Sequence, residues 1–152
     1  MPGAWRKKGK KMRRLLLVID LQKEFENPVY DKCIEYINNS KYDLVVGTYF
    51  KNTEGSNFYK ALEWKECLNT SENSLEYAPD QAHCKSTYTF RLDDKYKEYE
   101  VHVMGQDTDA CVLATCFDLW DRGFTFKVLK EYVHSPLDVE QIYERNFGDC
   151  LI

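Results

Sequence analysis

The stretch Gly105-Gln106-Asp107-Thr108-Asp109-Ala110-Cys111-Val112 places a cysteine where the flanking residues predict the first turn of a helix. Backbone N–H groups there lack intrahelical acceptors. Their positive field favours a thiolate over a thiol, and the same groups can cradle an oxyanion. A nucleophile at Cys111 is one reading; a small buried apolar side chain, the usual fate of a free cysteine, is the other. Asp20 is the second informative residue, because it ends the aliphatic run Leu15-Leu16-Leu17-Val18-Ile19. A carboxylate at the carboxyl end of a buried strand lies where open parallel sheets place their chemistry, although it can equally cap the following loop.

The elements that position these residues follow from the pattern of apolar side chains. Leu15–Ile19 predicts a strand buried on both faces, and Leu44–Val46 with Gly47 and Thr48 predicts a parallel neighbour. A helix from about Val29 to Asn38 joins them into a βαβ unit. Phe58–Trp64 predicts a helical turn, and the polar stretch Asn69–Pro79 reads as an irregular lid. Val101, Val103 and Met104 predict a strand running into Gly105. Asp109 is placed to cap the helix carrying Val112, Leu113, Cys116, Phe117 and Trp120, which Gly123 ends. Phe124–Leu129 predicts a further strand, Pro136 opens a helix through about Glu144, and Cys150–Ile152 is short enough for an edge strand. Alternating strands and helices with right-handed crossovers imply a three-layer, doubly wound (Rossmann-like) α/β fold, with a mostly parallel sheet covered by helices on both faces.

Three segments, in order, resemble the isochorismatase-like cysteine hydrolases over about residues 13–152. Leu15–Phe25 resembles that family's first strand, whose terminal aspartate is catalytic, which assigns that role to Asp20. Lys85-Ser86-Thr87-Tyr88-Thr89-Phe90 resembles the segment that opens with the active-site lysine, which assigns that role to Lys85. Gly105–Val112, with Ala114-Thr115 and Asp121-Arg122-Gly123-Phe124, resembles the G-x-x-T-D-x-C-V nucleophile segment, which assigns the nucleophile to Cys111. The resemblance implies a catalytic triad acting on an amide, a ureide or a related C–N bond of a small molecule through a thioester-type intermediate. Asp20 accepts the thiol proton and returns it to the leaving amine, and Lys85 holds the carboxylate. Amides near Ala110 and Cys111 bind the oxyanion. It also implies a cis peptide at Gln106-Asp107 shaping that loop, and a homo-oligomer.

The sequence departs from the resemblance in three places. The family's nicotinamidases carry an aspartate and histidines after the second strand that bind a metal, whereas Thr48–Ser56 holds no histidine. The expected chemistry is therefore metal-independent and free of cofactors. Asp107 stands where a small apolar residue is common, adding a carboxylate near Asp20 and Lys85. The chain is also short around the first crossover and lid, so the pocket is expected to be open or completed by a neighbouring subunit. Phe25, Tyr49, Phe58, Trp64 and Tyr88 are candidates to line an apolar pocket, or are ordinary core. The alternative to an enzyme is a noncatalytic binding or scaffold protein that keeps the fold after losing turnover.

Composition bounds the remaining possibilities. A chain of 152 residues with 43% apolar and 30% charged side chains has room for one globular domain. The expected division is a flexible basic extension at residues 1–11 and a single domain at 12–152. Residues 15–152 carry 14 basic and 25 acidic side chains, a formal charge of -11 that argues against a specific nucleic-acid face. No apolar run is long enough to span a membrane. The six cysteines show no C-x-x-C pair and no secretory signal precedes them, so reduced thiols in a cytoplasm are expected. Cys67, His83 and Cys84 lack a fourth partner for zinc. The C-x5-R string Cys116–Arg122 is too bulky and acidic inside to cradle a phosphate.

Overall fold

The alternation of aliphatic side chains in Leu15–Ile19 sorts them onto two faces of one sheet. Leu15, Leu17 and Ile19 enter one core cluster and Leu16 and Val18 the other, all fully buried. Each such side chain contributes about 1.5–3 kcal/mol on leaving water, which is why this strand takes the centre. The computed structural model describes residues 12–152, so the basic extension expected at residues 1–11 lies outside the described residues.

The strands are β1 (Arg14–Ile19), β2 (Leu44–Phe50), β3 (Gln81–Lys85), β4 (Glu100–Gln106) and β5 (Thr125–His134). They form one sheet in the order β3-β2-β1-β4-β5, with every neighbouring pair parallel. Register pairs Leu16 with Val45 on one side of β1 and with His102 on the other. The expected mostly parallel sheet is thus parallel throughout. Leu151 extends the β5 edge by a parallel bridge to Val128, where a short terminal strand was expected.

Helices cover both faces. α1 (Tyr30–Asn39) sends Tyr30, Cys33 and Ile37 onto Leu16 and Val18. On the opposite face, α3 (Cys111–Asp121) and α4 (Glu140–Phe147) pack Val112, Cys116, Leu119, Tyr143 and Phe147 against Leu15, Leu17 and Ile19. α2 (Asn57–Lys60) is a single turn lying in the β2–β3 crossover, shorter than the turn expected through Trp64. Among the described residues, no helix is long and apolar enough to cross a membrane.

Three expectations change, and one strand carries no signal in the sequence. β3 carries no apolar run; it is the sheet's edge, with His83 and Cys84 exposed, and its pairing to β2 comes from backbone hydrogen bonds. Asp109 does not cap α3. Instead the Asp107 carbonyl receives the N–H groups of Ala110 at 3.0 Å and Val112 at 3.1 Å, a main-chain acceptor replacing a side-chain one. α4 begins at Glu140 rather than Pro136, with the Glu140 N–H donating to Asp138 Oδ1 at 3.1 Å. The stretch 69–79 is no lid. Thr70, Ser74 and Tyr77 are buried, and Tyr77 lies so close over Gly47 that a Cβ there would come within 2.3 Å of its hydroxyl.

Candidate active site

Three strands end at one place. Asp20 follows β1 directly, Lys85 is the last residue of β3, and β4 runs through Gly105 and Gln106 into the turn before Cys111. Gly105 permits that convergence. It adopts φ +117, and a Cβ on it would sit 2.0 Å from the Ile19 carbonyl oxygen, so β4 can approach the end of β1 only without a side chain there. The Gln106–Asp107 peptide is cis, as the resemblance implied. Asp20 itself turns the chain out of β1 at φ 50.

The convergence brings Asp20, Lys85 and Cys111 into mutual contact. Lys85 Nζ lies 2.8 Å from Asp20 Oδ2, with both side chains nearly solvent-free at 4% and 1% exposure. The Cys111 thiol interacts electrostatically with both. Lys85 also donates to the carbonyls of Thr87 at 2.6 Å and Tyr88 at 3.2 Å, and its ammonium stands 4.8 Å from the Phe50 ring centroid. A buried ammonium needs such partners to remain charged.

Burial dominates the electrostatics. It pushes the Asp20 carboxyl above its ordinary value against the opposing pull of Lys85 and of the Thr48 hydroxyl. The Cys111 thiol is pushed up to about 12, by burial first and by the Asp20 charge second, with Lys85 opposing. Burial thus opposes the thiolate that a helix start is expected to favour. It favours the thiol over the thiolate, and a carboxyl also raised by burial stands beside it.

The neighbouring loop residues play different parts from those expected. The Ala110 N–H is consumed by the Asp107 carbonyl, which takes it out of the oxyanion set. The Cys111 N–H has no acceptor among the described residues and remains available. Gln106 is committed through its side chain: Nε2 donates to the carbonyls of Asp20 at 3.2 Å and Phe25 at 2.9 Å, and Oε1 accepts from Asn27 Nδ2. It positions the loop. Asp107 lines the cavity, its carboxyl raised by burial and then by Asp109, with His134 opposing.

Above the trio opens a cavity of about 350 Å³, in the range of small-molecule sites. Phe25, Phe58, Trp64 and Tyr88 line it, together with Asp20, Gln106, Asp107, Ala110 and Cys111. Tyr49 does not. Thr48 and Phe50 on either side of it point toward the site, so the two-residue period of β2 turns Tyr49 to the other face. Sequence reasoning missed Phe50, which that same period would have found, and Glu66, which no local signal marks. It also missed two polar braces. Thr48 bonds reciprocally with Asp20. Gln22 bridges β1 to β2, accepting from Phe50 N at 2.7 Å and donating to Phe50 O at 3.2 Å.

No family model matches the sequence, and no curated protein does. The structure does match solved ones. N-carbamoylsarcosine amidase from Thermoplasma acidophilum aligns with a TM-score of 0.72 at 20% identity, covering 92% of this chain and 95% of that one. An isochorismatase-like hydrolase from Alkaliphilus metalliredigens aligns at 0.69 and 18% identity, over 91% and 93%. Pyrazinamidase of Pyrococcus horikoshii in complex with zinc aligns at 0.69 and 21% identity, over 92% and 98%. The chain has the fold of the isochorismatase-like hydrolases.

The zinc of the Pyrococcus structure invites a test of the donors here. Among the described residues, no group of three or more His, Cys, Asp or Glu side chains could hold a metal ion. After β2, the Asn52 amide is already spent: Oδ1 accepts from Thr53 N at 2.9 Å and Ser56 Oγ at 2.6 Å, and Nδ2 donates to Trp64 O at 2.9 Å. These residues do not fit a metal.

Proposed function

We propose that the protein is a cysteine hydrolase that cleaves a C–N bond of a small amide or ureide without a metal. The observation that carries this reading is the buried contact of Lys85 with Asp20 at 2.8 Å, with Cys111 beside both at the floor of an aromatic cavity. The shared fold supports it.

In the proposed reaction Asp20 takes the Cys111 proton as Sγ attacks the substrate carbonyl carbon. The carbonyl π electrons move to oxygen, and the Cys111 N–H stabilises the resulting oxyanion. Collapse restores the carbonyl and breaks the C–N bond while Asp20 returns its proton to the departing nitrogen, leaving a thioester and a free amine or ammonia. Water then gives a proton to Asp20 and its oxygen to the acyl carbon, and the Cys111 sulfur leaves and recovers the proton. Lys85 keeps Asp20 anionic between these steps. A thiol raised to about 12 makes the proton acceptor essential, because the thiolate is scarce at neutral pH.

The test is an ammonia-release screen over small amides and ureides, with mass spectrometry of the rapidly quenched protein. Release that requires Cys111, together with an acyl mass adduct on its peptide, is expected. Release surviving Cys111→Ala would overturn the mechanism. A protein that binds amides but releases nothing and never acquires an adduct would be the noncatalytic scaffold, a reading favoured by the protonated resting thiol. We further place the protein in a reducing cytoplasm, in keeping with its six free cysteines. We also propose assembly as a homo-oligomer, which exposed Leu62 and Tyr88 beside the cavity support and light scattering would check.

A further inference from the structure

Every charged residue lining the cavity is acidic: Asp20, Glu66 and Asp107. Asp20 is neutralised by Lys85, whose ammonium is turned away from the cavity onto the Asp20 carboxylate and the carbonyls of Thr87 and Tyr88. The other two carboxylates have no such partner. Glu66 accepts from Trp64 Nε1 at 3.2 Å, and neither Glu66 nor Asp107 has a cation within ion-pair distance among the described residues. Burial and then the charge of Asp109 raise the carboxyl of Asp107, with His134 opposing and Asp20 adding to the push, so a cation bound beside it would favour its ionised form.

The walls between these carboxylates are aromatic. Phe25 stacks on Trp64 with centroids 6.0 Å apart, Trp64 meets Phe58 at 6.2 Å, and Phe58 meets Tyr88 at 4.8 Å. The four rings form one chain of contacts. Aromatic faces attract cations within about 6 Å of their centroids, most strongly a poorly hydrated alkylammonium, and repel anions. An apolar wall alone would take a neutral group; a wall of rings rimmed by two unpaired carboxylates discriminates by charge.

We propose that this cavity selects a small amide or ureide whose acyl part carries a positive charge, a compact alkylammonium held between the ring faces and Glu66 and Asp107. The word amide rests on the hydrolase reading above; the preference for a cation does not.

Three probes separate these claims: trimethylammonioacetamide, its uncharged isostere 3,3-dimethylbutanamide, and the smaller anion malonamate. Ammonia release is measured with native protein, and binding is measured by calorimetry with Cys111→Ala protein, which needs no turnover. Over the neutral isostere, the cation is expected to be favoured about tenfold in both, and the anion to be weakest. The double variant Glu66→Gln with Asp107→Asn is expected to bring cation and isostere within about twofold, and Glu66→Lys to move the preference toward malonamate. Circular dichroism confirms that each variant is folded.

A neutral isostere equal to or better than the cation overturns the proposal, as does a preference for malonamate or binding of none of the probes. A cation preference in Cys111→Ala protein without ammonia release from any amide upholds the charge selection and removes the hydrolase reading.

Discussion

Asp20 and Thr48 are bonded to each other in both directions across β1 and β2: the Asp20 N–H donates to Thr48 Oγ1 at 3.0 Å, and the Thr48 hydroxyl donates to Asp20 Oδ1 at 2.8 Å. The hydroxyl stabilises the ionised carboxyl and so opposes the upward push of burial. Thr48→Val keeps the shape and removes that donor. The Asp20 pKa then rises further, and the acid limb of the kcat/KM profile is expected to move to higher pH by about one unit, the worth of a hydrogen bond to a charged group. A limb that stays in place would mean that Asp20 is not the group the profile reports.

Lys85→Met leaves the Asp20 carboxyl buried without its cation. Its folded pKa then lies still further above the unfolded value. For such a group, stability is fully present below the unfolded pKa and is lost as pH rises through the folded one. The variant is expected to lose about 3–5 kcal/mol where Asp20 is ionised and clearly less at pH 5 than at pH 8. Urea midpoints at the two pH values measure this, and a loss independent of pH would contradict the pairing.

Two glycines separate a side-chain obstacle from a backbone one. A Cβ at Gly47 meets the Tyr77 hydroxyl at 2.3 Å, whereas a Cβ at Gly105 meets the Ile19 carbonyl oxygen at 2.0 Å at a φ of +117. Gly47→Ala is expected to cost about 1–3 kcal/mol and to be largely rescued by Tyr77→Leu. Gly105→Ala has no side chain to relieve and is expected to abolish soluble folded protein. Expression level and thermal melting of the three variants check the order.

Burial also pushes up the thiols of Cys33 to about 12, Cys67 to about 11 and Cys111 to about 12. The unfolded chain ionises its thiols near pH 8.5, so above that value it binds fewer protons than the native state. The contribution is intact below pH 8.5 and lost progressively as pH rises toward the folded values. Stability measured by urea unfolding is expected to fall between pH 8 and pH 10.5 by about 2 kcal/mol per thiol. Cys33→Ala should make that fall shallower.

The legible parts of this molecule are those where burial writes itself into side-chain type. Leu15–Ile19 is aliphatic throughout, and Val101, Val103 and Met104 are apolar around His102, because both faces of β1 and β4 are covered. β3 was invisible because Gln81-Ala82-His83-Cys84-Lys85 lies at an edge where solvent tolerates polar side chains. Asp20 and Cys111 were marked by strand end and helix start, but Lys85 had no local signal beyond the resemblance, since a buried lysine is spelled like an exposed one. Tyr49 was misassigned by one residue of phase: Phe50, its neighbour, carries the ring that faces the site. The α3 start was misread because a main-chain carbonyl, which leaves no trace in the sequence, does the work expected of Asp109.

The edge position of β3 has a consequence for how the protein fails on heating. Lys85 is its last residue, and β3 is held in the sheet by β2 alone, while Asp20 and the turn to Cys111 hang from the centre. Edge strands detach in partial openings that leave the rest of a sheet intact. Such an opening withdraws the one cation of the trio while the fold persists, so thermal inactivation should set in below the melting temperature and reverse on cooling.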